Sequence, residues 1–374
     1  MVAKVLVKTL VKSRHQTKNL YFYLKVLNVG FKGVKSYNKF IFGLVSVYIT
    51  LTQIPKLFML HKLMLFFSLL VINLALADDK SPLITSQNPQ FEVVNYQNAG
   101  LQLALQDQIN ANAHWRNLIQ QKMMSISLVD MSDQDNIKYA NINGDNMMYA
   151  ASMPKIAVLY AAMDAIEEGD LRLTKKVQND MWLMISKSNN AASTRMIDRV
   201  GFQRIEDLMC NPENPFYDKE GNGGLWVGKR YAAQGKRNPE PIRGLSHAAT
   251  TDAVAKFYYQ LATGQLINES RSAQMLKYLK NPGLHHKFVN TLDVIAPDAT
   301  LYRKSGSWKN WHCDSIMVID EARGKKYILV AMVQDTDGEQ IIRSLVKPAE
   351  IALDQSGTLA PDLQKNEVII TADS

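Results

Sequence analysis

Between residues 101 and 123, "LQLALQDQINANAHWRNLIQQKM", apolar positions recur every three or four residues, the spacing of an amphipathic helix. The period then shortens to two. "SISLVDM" (125–131) and "NIKYANI" (136–142) predict two strands joined by the polar turn 132–135. From Ser152 an apolar run of helical length extends to Gly169, a residue that stops helices. Asp164 is the only charge between Ile156 and Ile166, so this helix is expected to be buried all round. Shorter helical patterns follow at 178–210 and 251–280. They flank 211–243, where nine Gly or Pro residues predict loop. Strand patterns return at "TLYRKSG" (300–306), "DSIMVID" (314–320) and "KYILVAMVQ" (326–334), and a helix is expected at 338–353. Strands at both ends with helices between them predict an α/β (α+β) fold. An antiparallel sheet built from N- and C-terminal strands would be flanked by helices and carry an inserted all-helical subdomain, with a site in the cleft between the two parts.

Charge changes the picture only at the front. The chain of 374 residues has 43 Lys and Arg against 35 Asp and Glu, but residues 1–77 hold eleven of the basic residues and no acid. Residues 78–374 are slightly acidic, so no nucleic-acid partner is inferred. Within 59–77, Lys62 precedes an apolar stretch from Leu63 that ends in Ala75-Leu76-Ala77, the layout of a secretory signal peptide. Cleavage after Ala77 would give a periplasmic or secreted protein with no stable membrane span, expected to be a monomer. The alternative is an uncleaved anchor, helped by the apolar segment Phe40–Leu51. Residues 1–58 are expected to be a leader from a start assigned too far upstream, 78–100 a linker, 101–354 the folded domain and 355–374 a polar tail. Cys210 and Cys313 could pair in an oxidising compartment or remain buried thiols. The histidines fall in no metal-binding spacing, and neither metal nor cofactor is expected.

Ser-x-x-Lys occurs three times, at Ser36–Lys39, Ser152–Lys155 and Ser344–Lys347. Only the middle copy opens a buried helix after a strand pair. It is followed by Ser188-Asn189-Asn190 and then, on a predicted strand, by Lys304-Ser305-Gly306. The ordered set S-x-x-K, S-x-N, K-[ST]-G resembles the signature of class A β-lactamases and penicillin-binding proteins, over roughly residues 101–353. The resemblance implies a serine hydrolase that forms an acyl-serine intermediate. Its partner would be a small-molecule β-lactam or a peptidoglycan-derived peptide.

The residue chemistry agrees with that implication. Ser152 and Lys155 share a helix face. An ammonium at the positive end of a helix, half-buried and near Lys304, is disfavoured, so Lys155 can serve as base to the Ser152 hydroxyl. Ser188 can relay a proton to the leaving nitrogen, and Asn190 can hold a substrate amide. Lys304 and the Ser305 hydroxyl suit a substrate carboxylate, and the N–H groups of Ser152 and Ser307 would form the oxyanion hole. Taken singly, Ser152 could be a helix cap, 188–190 a turn and Lys304 a solubilising edge residue. The middle residue of the second motif is Asn189 where the family has Asp. The family's E-x-x-L-N stretch is not matched in 211–243, which leaves Glu240 and His312 as substitutes for the polar group that activates water. Two rival readings remain. One is a D-Ala-D-Ala peptidase or esterase with weak β-lactamase activity; the other is a single-turnover penicillin- or peptidoglycan-sensing domain.

Overall fold

A computed structural model describes Ile84 and residues 92–356, all within one unit, 79–374. The expected leader, the signal segment, most of the linker and the tail beyond 356 lie outside the described residues. After a short 3-10 turn (Val93–Tyr96), the first α-helix is α1 (Ala99–Asn110), capped by the Asn98 side chain on the Leu101 amide at 2.9 Å. The single helix expected over 101–123 is two helices. Asn112 takes an extended conformation and accepts from the His114 and Trp115 amides, which starts α2 (Ala113–Gln120). An asparagine side chain that satisfies two orphan amides makes a restart more stable than continuation.

Strands β1 (Met124–Asp130), β2 (Lys138–Ile142) and β3 (Met148–Tyr149) come next. A helical middle follows, with α3 (Lys155–Glu167), α4 (Lys175–Ser186), α5 (Asn190–Val200) and α6 (Phe202–Met209). The segment 211–243, predicted to be loop, contributes three two-residue strands, β4 (Tyr217–Asp218), β5 (Gly223–Gly224) and β6 (Trp226–Val227). With β7 (His247–Ala249), β6 and β3 make a small sheet in the order β3-β7-β6. Strands this short carry no readable period, so the pattern missed them. Then come α7 (Thr251–Ala262), α8 (Glu269–Leu279), α9 (Phe288–Ile295), β8 (Thr300–Trp308), β9 (Trp311–Asp320), β10 (Lys325–Gln334) and α10 (Gly338–Ser344). The expected closing helix breaks at Leu345 and resumes over 346–356. Among the described residues no helix is long and apolar enough to cross a membrane.

The five-stranded sheet runs β2-β1-β10-β9-β8 with every pair antiparallel, so the N- and C-terminal strands share one sheet as expected. Alternation sorts its side chains into two cores. Ile328, Val330 and Met332 join the core that includes α3 and α7, whereas Leu329, Ala331 and Val333 join the core beneath α1, α9 and α10. Eleven of the thirteen α3 residues are buried, as its apolar sequence predicted. β8 is an edge strand, as is β2 at the other side, and its even positions face α3, where Tyr302 sits in the α3 core.

Candidate active site

The expected helix start at Ser152 is displaced by three residues. Residues 151–154 form a turn that opens with Ala151 at φ +46°, and α3 begins after Pro154 at φ −65°. Short-range bonds tighten this turn, from Lys155 N to Ser152 O at 3.3 Å and from Ile156 N to Met153 O at 3.2 Å. Proline is tolerated there because that amide would be unsatisfied anyway. No side-chain bond caps α3, so Ser152 is not its cap. A non-glycine residue in the left-handed region directly before the serine is a strained conformation of the kind that collects at functional sites.

Lys155 is wholly buried, at 0% exposure, yet its Nζ has three polar contacts. It donates to Ser188 O at 2.6 Å and Asn190 Oδ1 at 2.8 Å, and lies 3.4 Å from Ser188 Oγ. It also sits 4.4 Å above the Tyr231 ring. Burial lowers its pKa from 10.5 to about 7. Tyr231 reaches the site from the long loop. Its hydroxyl donates to Ala151 O at 3.2 Å, and its ring stacks on His247 with centroids 4.2 Å apart. Burial, then the charges of Lys155 and Lys229, lower the His247 pKa to about 3, which keeps that ring neutral.

Ser188 lies between α4 and α5 with φ +53°. Asn189, in place of the aspartate of the related motif, caps α5 by accepting from the Ala192 amide at 2.8 Å. A carboxylate is therefore not needed to hold this turn. Lys304, only 2% exposed, donates to Ser188 Oγ at 2.9 Å and to Ser305 O at 2.6 Å. Burial first, then repulsion from Lys155 and Arg303, hold its pKa well below 10.5. An edge-strand solubility role does not fit a lysine this buried. Gly306 brings β8 against the serine turn, because a Cβ there would stand 2.5 Å from Ser152 N and 2.8 Å from Ala150 O.

Five of the predicted residues are thus joined. Lys155, Ser188, Asn190 and Lys304 are linked by hydrogen bonds, and Gly306 sets β8 beside Ser152. Ser305 and Ser307 lie at odd positions of β8. The Ser305 hydroxyl is 3.4 Å from His286 Nε2, and Ser307 Oγ is 2.8 Å from Lys287 Nζ and 3.5 Å from His312 Nδ1. His312 is thus beside Ser307, its register partner in β9. Glu240 is elsewhere. Its buried carboxylate accepts from Tyr217 OH at 2.6 Å and from the amides of Ile242, Arg243 and Leu245 at 2.8, 2.5 and 3.1 Å. Burial pushes its pKa up, but those four donors outweigh burial and leave it lowered. A carboxylate so fully engaged folds its own loop and is a poor base. Cys210 and Cys313 are both free thiols, so the pairing alternative is not realised.

Tyr231, His247 and Lys287 went unnoticed in the sequence because their contacts are tertiary and no motif marks them; Tyr231 and Lys287 lie in loops, and His247 opens the three-residue strand β7. Among the described residues no cluster of three or more His, Cys, Asp or Glu could hold a metal. A separate surface depression is lined by Glu167 and Asn268. It lies at the far end of α3, roughly 20 Å from Ser152 by helical rise, and the Arg271–Glu167 ion pair spans it.

A family model described as the β-lactamase enzyme family matches residues 104–181 and 176–352, more than half of the chain. Among proteins of curated function, none matches in sequence. Among solved structures, a β-lactamase from Sphaerobacter thermophilus is 16% identical with a TM-score of 0.52, covering 70% of this chain and 97% of its own. PBP-A is 17% identical with a TM-score of 0.52 over 70% of this chain and 98% of its own. A PBP-A variant, solved as its acyl-enzyme complex with penicillin G, is 18% identical with a TM-score of 0.51 over the same shares. At such identities these structures establish a common fold. With the family match spanning both lobes and all three motifs, the chain belongs to the β-lactamase enzyme family.

Proposed function

We propose that this protein is an exported serine hydrolase that opens β-lactam or related amide bonds through an acyl-Ser152 intermediate. The observation that carries the reading is the meeting of two buried lysines, Lys155 and Lys304, on the single hydroxyl of Ser188 beside the Ser152 turn. Burying two lysine side chains so close together carries a cost of desolvation and mutual repulsion and adds nothing to packing that an apolar pair would not supply. Such a cost is expected where a lowered pKa is put to work. In this reading Lys155 accepts the Ser152 proton, and the N–H groups of Ser152 and Ser307 stabilise the tetrahedral oxyanion. Lys304 with Ser305 receives a substrate carboxylate, and Asn190 holds an amide. Export by cleavage after Ala77 belongs to the same proposal and rests on the composition of 59–77.

Covalent labelling tests it. A fluorescent penicillin should modify the protein at Ser152, and Ser152→Ala should abolish the label. Labelling that persists in the alanine variant would refute the assignment. Engagement of Glu240 within its own loop favours a second reading, a penicillin- or peptidoglycan-sensing protein that acylates and hydrolyses slowly, because a base for the deacylating water is not supplied by that residue.

A further inference from the structure

Lys287 is the last residue before α9 and has φ +55° and ψ −127°, a region that non-glycine residues seldom occupy. Its side chain is fully buried, and its three contacts are Gly306 O at 2.6 Å, Ser307 Oγ at 2.8 Å and Cys313 O at 3.0 Å. These acceptors take up the three protons of an ammonium. Burial lowers its pKa; the Cys313 thiol and the Asp314 carboxylate pull the other way, Arg303 adds to the lowering, and Glu339 opposes it. None of the three sequence motifs includes this residue, and it does not touch Ser152, Lys155 or Ser188 in any of these bonds.

The contact with Gly306 O bears on the chemistry. That carbonyl and the Ser307 N–H are the two ends of one planar trans peptide, so they point in opposite directions. Lys287 Nζ also reaches Cys313 O on β9, which places it on the inner side of β8. The Ser307 N–H therefore turns toward the free edge of β8, where the serine turn lies against Gly306. A cation on the carbonyl end draws electron density from the amide end and makes its proton a stronger donor.

We propose that Lys287 is a positioning residue of the oxyanion hole, orienting and polarising the Gly306–Ser307 peptide so that the Ser307 N–H binds the oxyanion formed at Ser152. This rests on the acyl-Ser152 reading above. One oxyanion donor is worth about 10²–10³-fold in rate. Polarisation of about 30% in such a bond then corresponds to roughly a 4–8-fold change in acylation.

Three measurements on the full chain test the proposal. Stopped-flow acylation by benzylpenicillin separates the binding constant from the acylation rate constant. Lys287→Met should lower the rate constant roughly 4–8-fold and leave binding unchanged. The infrared stretch of the acyl carbonyl should move to higher wavenumber, and Lys287→Arg, which keeps the charge, should restore part of both effects. In the unliganded protein, the assigned Ser307 amide proton should move upfield in Lys287→Met. If that variant does not fold, Lys287→Gln, which keeps an N–H donor without the charge, carries the same comparisons. An unchanged rate constant and carbonyl stretch would overturn the proposal. So would weaker binding at an unchanged rate constant, which would mean that Lys287 serves the substrate carboxylate. If the parent chain is not acylated at all, the hydrolase reading fails, and the Ser307 amide shift still decides whether Lys287 polarises that peptide.

Discussion

Protonation of Lys155 is the perturbation with the largest readable consequence. Burial takes its pKa from 10.5 to about 7. At ~1.36 kcal/mol per pH unit this is about 5 kcal/mol of preference for the neutral amine. A lysine lowered on folding gives a definite sign: between pH 7 and 10.5 the unfolded chain holds a proton that the folded chain lacks. Stability should therefore rise with pH through that window, and the whole burial cost is in force below it. The same shift shapes catalysis. The neutral fraction of a group with that pKa is about one tenth at pH 6, one half at pH 7 and nine tenths at pH 8. Single-turnover acylation of Ser152 by a β-lactam should then rise about five-fold from pH 6 to 7 and less than two-fold from 7 to 8. An unshifted lysine would instead give about tenfold per pH unit across the whole range. Stopped-flow measurement at constant ionic strength reads this directly. A log-linear rise continuing to pH 9 would refute the burial argument, and a flat profile would remove Lys155 as the base. Lys155→Arg, whose charge is permanent, should lose about 10²–10⁴-fold of the acylation rate.

Gly306→Ala should push β8 away from the serine turn, since the new methyl would lie 2.5 Å from Ser152 N. The expected result is a loss of about 1–3 kcal/mol in stability and a drop in acylation on the order of 10²-fold; normal acylation at normal melting temperature would show that β8 and the serine turn are not held as described. Glu240→Gln should cost about 1–3 kcal/mol by weakening a fully bonded buried carboxylate but leave nitrocefin kinetics as in the parent, a burst near one equivalent and then a slow phase. Rapid parent turnover without a burst, lost in Glu240→Gln, would make Glu240 the deacylating base.

How far the sequence revealed this molecule depended on the range of the interactions involved. β10 was recognisable because both of its faces are buried, and α3 because its apolar residues leave only Asp164 to interrupt them. The nearness of Lys155 to Ser152 follows from their separation of three residues, although Ser152 sits in the turn before α3 and not on the helix. The nearness of Lys155 to Lys304 is not legible in this way, because Ser188 and Lys304 are 116 residues apart and meet only through the packing of β8 against the helical lobe. Tyr231 had a faint signal, an aromatic residue in a polar Gly/Pro-rich loop. Lys287 had none, since a lysine before an apolar helix looks like an exposed flank. The break at Asn112 was available in principle, as asparagine followed by an apolar turn is a helix start. It was masked by apolar spacing that runs on through it.

The arrangement around Ser188 explains why two lysines are held where a single one could act as base. A hydroxyl has one proton to give and two lone pairs to receive. Lys304 approaches Ser188 Oγ at 2.9 Å and Lys155 at 3.4 Å, so both acceptor positions are addressed by nitrogen. Once Lys155 has taken the Ser152 proton and become an ammonium, donors address both lone pairs, and the Ser188 proton is left pointing at whatever enters the cleft. In the proposed reaction that entrant is the nitrogen released when the tetrahedral intermediate collapses. The proton taken from Ser152 by Lys155 can then return through Ser188, which gives its own proton to the leaving nitrogen and recovers one from Lys155. Lys155 ends neutral, as it began, and no proton is exchanged with solvent. Burial first, then repulsion from Lys155 and Arg303, lowers the Lys304 pKa. A substrate carboxylate beside Lys304 would offset that repulsion at the moment Lys155 becomes an ammonium. In the proposed reaction an anionic substrate would be favoured twice, once in binding and once in the proton transfer that completes acylation.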